Sequence, residues 1–187
     1  MDNQNLQKII SRIDRLLEDR EQVVIAIDGS CAAGKTTLAG QIAERYDCNV
    51  FHMDDFFLRP EQRTPERYAQ TGGNVDYERF REEVLLPLKA GKPVSYRPFD
   101  CKTFTISREI QAADKKLNII EGSYSLHPYF GEVYDLKLFL TVSPEIRRVR
   151  ILERPEFLHK RFFEEWIPME TRYFEEFGIE QRCDLVF

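Results

Sequence analysis

The chain has little with which to build a disulfide framework, a membrane span or a nucleic-acid surface. Its four cysteines (Cys31, Cys48, Cys101 and Cys183) show no paired, metal-type spacing. Neither a zinc module nor a cystine-stapled scaffold is expected, and free thiols in a reducing compartment are. No apolar run approaches the roughly 20 residues that cross a bilayer. The amino terminus, Met1-Asp2-Asn3-Gln4-Asn5, lacks the basic start and apolar middle of a signal peptide. Together these absences predict a cytoplasmic protein with no membrane partner. Positive charge is not in excess: 27 Lys and Arg against 32 Asp and Glu give a net charge of −5. That balance disfavours a broad nucleic-acid-binding face and leaves room for a local basic pocket. Of the three histidines, His127 and His159 have no partner spacing and His52 is expected to face the packing of a sheet; none is assigned catalysis. Internal repeats, low-complexity tracts and interdomain linkers are missing too, and 187 residues suit one domain.

What is there is an alternation of short apolar runs and helical patterns. Leu6, Ile9, Ile10, Ile13, Leu16 and Leu17 recur at three- and four-residue intervals, which predicts an amphipathic helix within residues 1–20. Its apolar face is expected to pack on the domain; partner binding is the other use open to it. Val23-Val24-Ile25-Ala26-Ile27 is continuously apolar, as a parallel strand covered on both faces is. Further strands are predicted at residues 49–53, 117–120, 136–142 and 184–187, with helices at 36–45, 77–90, 144–153 and 162–177. Strands alternating with helices predict an α/β fold with a five-stranded parallel sheet in three α/β/α layers. Residues 59–76, with Pro60, Pro65, Gly72 and Gly73, read as an irregular excursion of the kind that often carries function. Residues 94–110 have room for a small hairpin or flap.

Between the first strand and the next helix stands Gly29-Ser30-Cys31-Ala32-Ala33-Gly34-Lys35-Thr36, a match to G-x-x-x-x-G-K-[ST]. Each fixed position has a physical reason. Glycines let the backbone curl so that successive N–H groups point at phosphate oxygens. The residues expected to cradle the phosphates are Gly29, Ser30, Ala32, Ala33, Gly34, Lys35, Thr36 and Thr37. The helix start adds its positive end. Lys35 supplies a point charge to the β- and γ-phosphates, and Thr36 offers a hydroxyl to Mg²⁺. A chance match in this length is on the order of one per cent or less. The loop predicts a P-loop NTPase fold that binds ATP with Mg²⁺. An Asn-Lys-x-Asp guanine-reading motif and a Leu-Ser-Gly-Gly-Gln signature are both missing, which argues against a small GTPase and a transporter-type ATPase. A small kinase remains. It needs an acceptor-activating carboxylate and a Mg²⁺-organising acid at strand ends, and arginines to offset charge on the transferring group. Asp54 and Asp55 end the second strand, Glu121 ends the third, and Arg147, Arg148, Arg150 and Arg154 crowd one helix.

On these residues the chain resembles the uridine kinase and nicotinamide riboside kinase group of P-loop kinases, over residues 23–187. The likeness is most specific at residues 29–37 and at His52-Met53-Asp54-Asp55-Phe56-Phe57. It implies that Asp54 is the base for the acceptor hydroxyl. It implies that Asp76, in Asn74-Val75-Asp76, holds ribose hydroxyls. Glu121, in Ile120-Glu121-Gly122, would sit near Mg²⁺ with Thr36. A helical lid over residues 147–165 would bring Arg150 and Arg154 to the phosphates as catalytic partners of Lys35, with Trp166-Ile167-Pro168 following. Arg97 and Arg172 are further candidates for the acceptor site, and residues 59–110 would form the acceptor-binding insertion of a single kinase domain. The implied activity is ATP-dependent phosphorylation of a hydroxyl on a small metabolite, a nucleoside or other riboside; a homo-oligomer is compatible with the resemblance. One segment departs. Pyrimidine-specific members carry Tyr-Asp-Phe followed three residues later by His, where this chain has Phe99-Asp100-Cys101 and Phe104. A phenyl ring neither donates nor accepts the hydrogen bond that reads a uracil edge. A rival expectation is a nucleotide-binding regulatory ATPase module acting through a protein partner held by the N-terminal helix.

Overall fold

The computed structural model describes residues 2–187, so Met1, the first residue of the predicted amphipathic segment, lies outside the described residues. Helix α1 (Asn3–Asp19) starts where Asp2 caps it, accepting a 2.7 Å hydrogen bond from the Asn5 N–H. Strand β1 (Val23–Gly29) is buried along its whole length. Helix α2 (Lys35–Ala43) and strand β2 (Cys48–His52) follow, and β2 runs straight into a 3₁₀ turn, Met53–Phe56. The excursion after it holds the short helix α3 (Pro65–Ala69). Next comes a helical rod of α4 (Tyr77–Phe80), a π turn (Arg81–Leu85) and α5 (Leu86–Lys89). Two nested hairpins fill the flap: β3 (Ser95–Tyr96) pairs with β6 (Ile110–Gln111), and inside them β4 (Phe99–Asp100) pairs with β5 (Thr105–Ile106). Strands β7 (Leu117–Glu121) and β8 (Leu136–Leu140) return to the main sheet. Helices α6 (Pro144–Leu152) and α7 (Glu156–Arg161), a second π turn (Phe162–Trp166), α8 (Ile167–Phe177) and β9 (Leu185–Val186) complete the order.

The main sheet has five parallel strands in the order β2-β7-β1-β8-β9. Its register sets Ile27 level with Glu121, and Glu121 level with His52. The carboxyl ends of β1, β2 and β7 therefore finish together, which is where open α/β sheets collect ligands. Apolar side chains cover both faces. On one side Ile9 and Ile13 of α1 and Leu38 and Ile42 of α2 pack with Ile25, Ile27, Ile119 and Leu138. On the other, Phe51, Phe56, Phe80, Val84 and Tyr173 pack with Ala26, Ile120 and Phe139. The result is the predicted α/β/α sandwich.

Burial of Ile9, Ile10 and Ile13 at 0–3% exposure decides between the two uses foreseen for α1. The apolar face is core, worth roughly 1.5–3 kcal/mol per isoleucine, and offers a protein partner no apolar stripe. The rival regulatory reading loses its docking surface. Other differences are local. The strand expected over 136–142 stops at Leu140, and the last strand is two residues long. Both π turns sit just before a proline that continues the helix, Pro87 and Pro168. Proline has no N–H for the fourth carbonyl back and its ring collides with that carbonyl. One widened turn relieves both, and the Leu86 and Ile167 N–H groups reach five residues back, to Arg81 and Phe162. Among the described residues no helix is long and apolar enough to cross a membrane.

Candidate active site

The loop after β1 adopts the curl its glycines permit. Gly29 has φ +134°, and a Cβ there would lie 1.9 Å from the Leu140 carbonyl oxygen. Gly34, at φ +96°, opens α2. The buried ammonium of Lys35 donates to the carbonyls of Gly29 (2.8 Å) and Ser30 (2.9 Å) and to Ser123 Oγ (3.2 Å). Thr36 and Thr37 are exposed on the first turn of α2. The Thr36 hydroxyl donates to Glu121 Oε1 at 3.0 Å. Residues Ser30, Ala32, Ala33 and Gly34 complete the arc, with Ala32 itself at φ +58°.

Asp28, the last acid inside β1, is wholly buried and anchors the arc from behind. Its carboxylate accepts from the N–H groups of Gly29 (2.7 Å), Tyr124 (3.2 Å) and Leu126 (2.9 Å) and from the Tyr173 hydroxyl (2.8 Å). Burial still outweighs those bonds and pushes its pKa up to about 6. Glu170, in α8, is also buried and reaches across to the loop. It accepts from the Cys31 N–H (2.9 Å) and from Ser123 Oγ (2.6 Å). Together with burial, it pushes the Cys31 thiol up to about 12, leaving that thiol inert.

Asp54 projects from the turn that follows β2. It is open to water yet crowded by protein, the situation of a group on the wall of a cleft. Crowding first, and the charge of Glu121 second, raise its pKa above the ordinary carboxylate value, against the pull of Lys35 and His52. Gly122 makes the approach of β7 to this turn possible: a Cβ there would come 2.8 Å from the Met53 side chain. His52 departs from expectation. It does not face sheet packing but sits half-exposed at the strand end, with Nδ1 2.5 Å from Glu121 Oε1. That hydrogen bond raises its pKa above the usual imidazole value. Side chains at even positions of β2 point to the face opposite the core residue Phe51, and the strand-end register aims His52 at Glu121.

The other candidate residues divide. Asp76 lies beside the Asp54 turn, its N–H bonded to the Phe56 carbonyl at 2.7 Å. Its carboxylate is buried; it caps α4 and meets Arg79 at 3.4 Å and Arg59 at 3.9 Å. Arg97 pairs with Glu83 at 3.6 Å and is half-exposed. Arg172 is not brought to Asp54: its guanidinium is held by Glu176 (3.3 Å) and the Ala69 carbonyl (2.7 Å). Arg150 donates to the Ala32 carbonyl at 2.8 Å, on the rim of the phosphate arc. Arg154 instead lies over the Phe162 ring, 5.0 Å from its centre. Among the described residues, Arg147, Arg148, Arg150 and Arg154 form no ion pair with Glu145, Glu153 or Glu156. Four residues of the constellation lie outside the sequence-based set. Asp28 carried a signal, an acid closing a wholly apolar strand, and Ser123 follows the Glu-Gly pair directly. Glu170 stands among surface-type acids and carried none; His52 was read as packing.

No family model matches the chain. Among curated proteins, cytidylate kinase of Methanocorpusculum labreanum is 30% identical over 166 residues, covering 83% of this chain and 78% of that protein. Uridine-cytidine kinase-like 1 of Mus musculus is 27% identical over 147 residues, 73% of this chain. The chain spans only 27% of that longer protein's length. Among solved structures, a possible uridine kinase from Bacillus stearothermophilus superposes with a TM-score of 0.69 at 25% identity, covering 96% of this chain and 99% of that one. The chain belongs to the uridine kinase-like P-loop kinases. By that membership it is an ATP-dependent phosphotransferase acting on an alcohol of a small metabolite.

Proposed function

We propose that this kinase phosphorylates a hydroxyl of a ribosyl metabolite, with Asp54 as the base. One observation carries the reading: a water-accessible carboxylate of raised pKa stands in the turn after β2, near Glu121 at the end of β7 and Lys35 and Thr36 at the start of α2. A raised carboxylate pKa suits proton abstraction near neutrality. Asp54 takes the proton of the acceptor hydroxyl as that oxygen bonds to the γ-phosphorus, and ADP leaves. Lys35 is pre-positioned on the arc to meet the β- and γ-phosphate oxygens, and the N–H groups of residues 29–37 hold them in place. Arg150, already tied to the rim at Ala32, supplies positive charge on the lid side. Arg154, Asp76 and Arg97 remain candidates for contacts made when the lid and flap close over substrates; Arg172, committed elsewhere, fits better as a brace between α8 and α3.

The oxygen donors of Thr36 and Glu121, 3.0 Å apart, suit Mg²⁺, which is held by one or two carboxylates plus substrate phosphates rather than by an all-protein cage. When bound, the ion neutralises charge across the transferring phosphoryl group. His52 shares Glu121 with that site and restrains the carboxylate meanwhile. Four unbridged cysteines support a cytoplasmic setting. Replacing Asp54 with Asn tests the base: kcat falls by roughly 10²–10⁴ with the KM for ATP unchanged. Near-normal transfer by that variant removes Asp54 from its role.

A further inference from the structure

We infer that Arg63 is an anion-binding residue of the acceptor site, and that the acceptor carries a carboxylate or phosphate besides its reacting hydroxyl. The inference rests on Asp54 marking that site. The inner hairpin of the flap, β4 and β5, packs against the turn that bears Asp54, and Tyr96, just before it, stacks on Phe56 of that turn with ring centres 5.7 Å apart. On this hairpin Phe99 and Phe104 lie edge to face at 6.3 Å. The Arg63 guanidinium sits against both rings, 5.5 Å from Phe99 and 5.1 Å from Phe104. Its Nε is tied down, donating to the Leu58 carbonyl at 2.9 Å.

What remains of the guanidinium is its outer pair of nitrogens, and among the described residues they have no carboxylate partner. Most arginines of the same segment are paired, Arg81 over the Tyr129 ring being another exception. Arg59, Arg67, Arg79 and Arg97 each lie within ion-pair distance of Asp76, Glu61, Glu78 or Glu83. A planar fork stacked on aromatic rings, fixed at one nitrogen and open at the others, is pre-organised for two parallel bonds to a carboxylate or phosphate. Phe104 is held in the left-handed region at φ +57°, which a bulky residue rarely adopts. That conformation sets its ring against Arg63. The exposed Cys101 lies at the tip of this hairpin, between Phe99 and Phe104, and so reports on the space beside the turn that bears Asp54.

The test uses three acceptor pairs, one neutral and one anionic in each: uridine with orotidine, ribose with ribose 5-phosphate, and glycerol with glycerate. The three pairs separate a carboxylate from a phosphate. Phosphorylation by the full chain is measured with each, and so is protection of Cys101 from iodoacetamide, read by peptide mass. In at least one pair kcat/KM is tenfold or more higher for the charged member, and Arg63→Gln lowers that ratio at least tenfold. The same charged probe shields Cys101 where its neutral twin does not, and the shielding is lost in Arg63→Gln. Equal kcat/KM within every pair, or a preference that survives Arg63→Gln, overturns the inference. The two ideas fail separately. Turnover of neutral acceptors with neither preference nor protection by charge sinks the anion site and leaves the kinase. Charge-selective protection without any turnover sinks the kinase reading and leaves the anion site.

Discussion

Glu170 places a negative charge where a triphosphate needs positive surroundings. Its carboxylate holds the Cys31 N–H and Ser123, which also touches Lys35. Glutamine has the same shape and still offers an oxygen to Cys31, while its amide can donate to Ser123. Glu170→Gln therefore keeps the geometry and removes repulsion toward the phosphates. The KM for ATP falls roughly three- to tenfold at unchanged melting temperature, an effect of about 1 kcal/mol; a raised KM in steady-state kinetics contradicts it. His127 makes a different prediction. It is buried, stacks on Tyr77 at 4.3 Å and has an unpartnered Nε2. Burial lowers its pKa to about 4, while the unfolded chain protonates it near 6.5. The unfolded state thus takes up the proton first. Stability contributed by His127 is complete above about 6.5 and is lost as pH falls toward 4, by at most about 1.4 kcal/mol per pH unit. Asp28, with its pKa raised to about 6, has the opposite slope below that pH. His127→Phe keeps the stack and leaves Asp28 in place, so the melting-temperature difference between the two proteins isolates the histidine. The wild type loses ground to the variant between pH 7 and pH 4. A pH-independent difference contradicts the assignment.

At the scale of elements, α1 carries the clearest stability prediction. Ile13 is fully buried between α1 and the sheet. Ile13→Ala leaves a cavity and costs roughly 2–5 kcal/mol, read by denaturant unfolding. Deleting residues 1–20 uncovers β1 and its neighbours and yields an insoluble chain. A soluble, active truncation restores the partner-binding use of the helix. The elements were legible in proportion to how local their causes are. The amphipathic period of α1, the continuous apolarity of β1 and the Gly-Lys-Thr start of α2 each depend on a few adjacent residues. The two π turns depend on where a proline falls within a helix that tertiary packing sustains. The flap, made of two-residue strands, has too few residues per strand for a period to show, so only the room for a hairpin could be read.

For the whole molecule, the five-stranded parallel order follows from alternating strand and helix patterns, and it carries Gly29, His52 and Glu121 to one edge. Asp54 and Glu121, at or just past strand ends, and Lys35 and Thr36, at the start of α2, are legible in the sequence because topology alone gathers them. Residues that arrive from afar are not. Glu170 reaches Cys31 across 139 positions of sequence, and the bonds of Arg172 to Glu176 and the Ala69 carbonyl leave no mark on composition. The acceptor side shows the same limit: Arg63 and Phe104 stand 41 positions apart, and only the flap brings them together. The central claim is that these strand ends form a phosphoryl donor site facing a hydroxyl. The most direct measurement is ADP release by the purified protein with ATP and Mg²⁺ across a panel of hydroxyl acceptors, each against an acceptor-free background. The account predicts that at least one acceptor raises ADP release tenfold or more, with one phosphorylated product per ADP, and that Asp54→Asn abolishes the rise. ADP release that stays at background with every acceptor contradicts it.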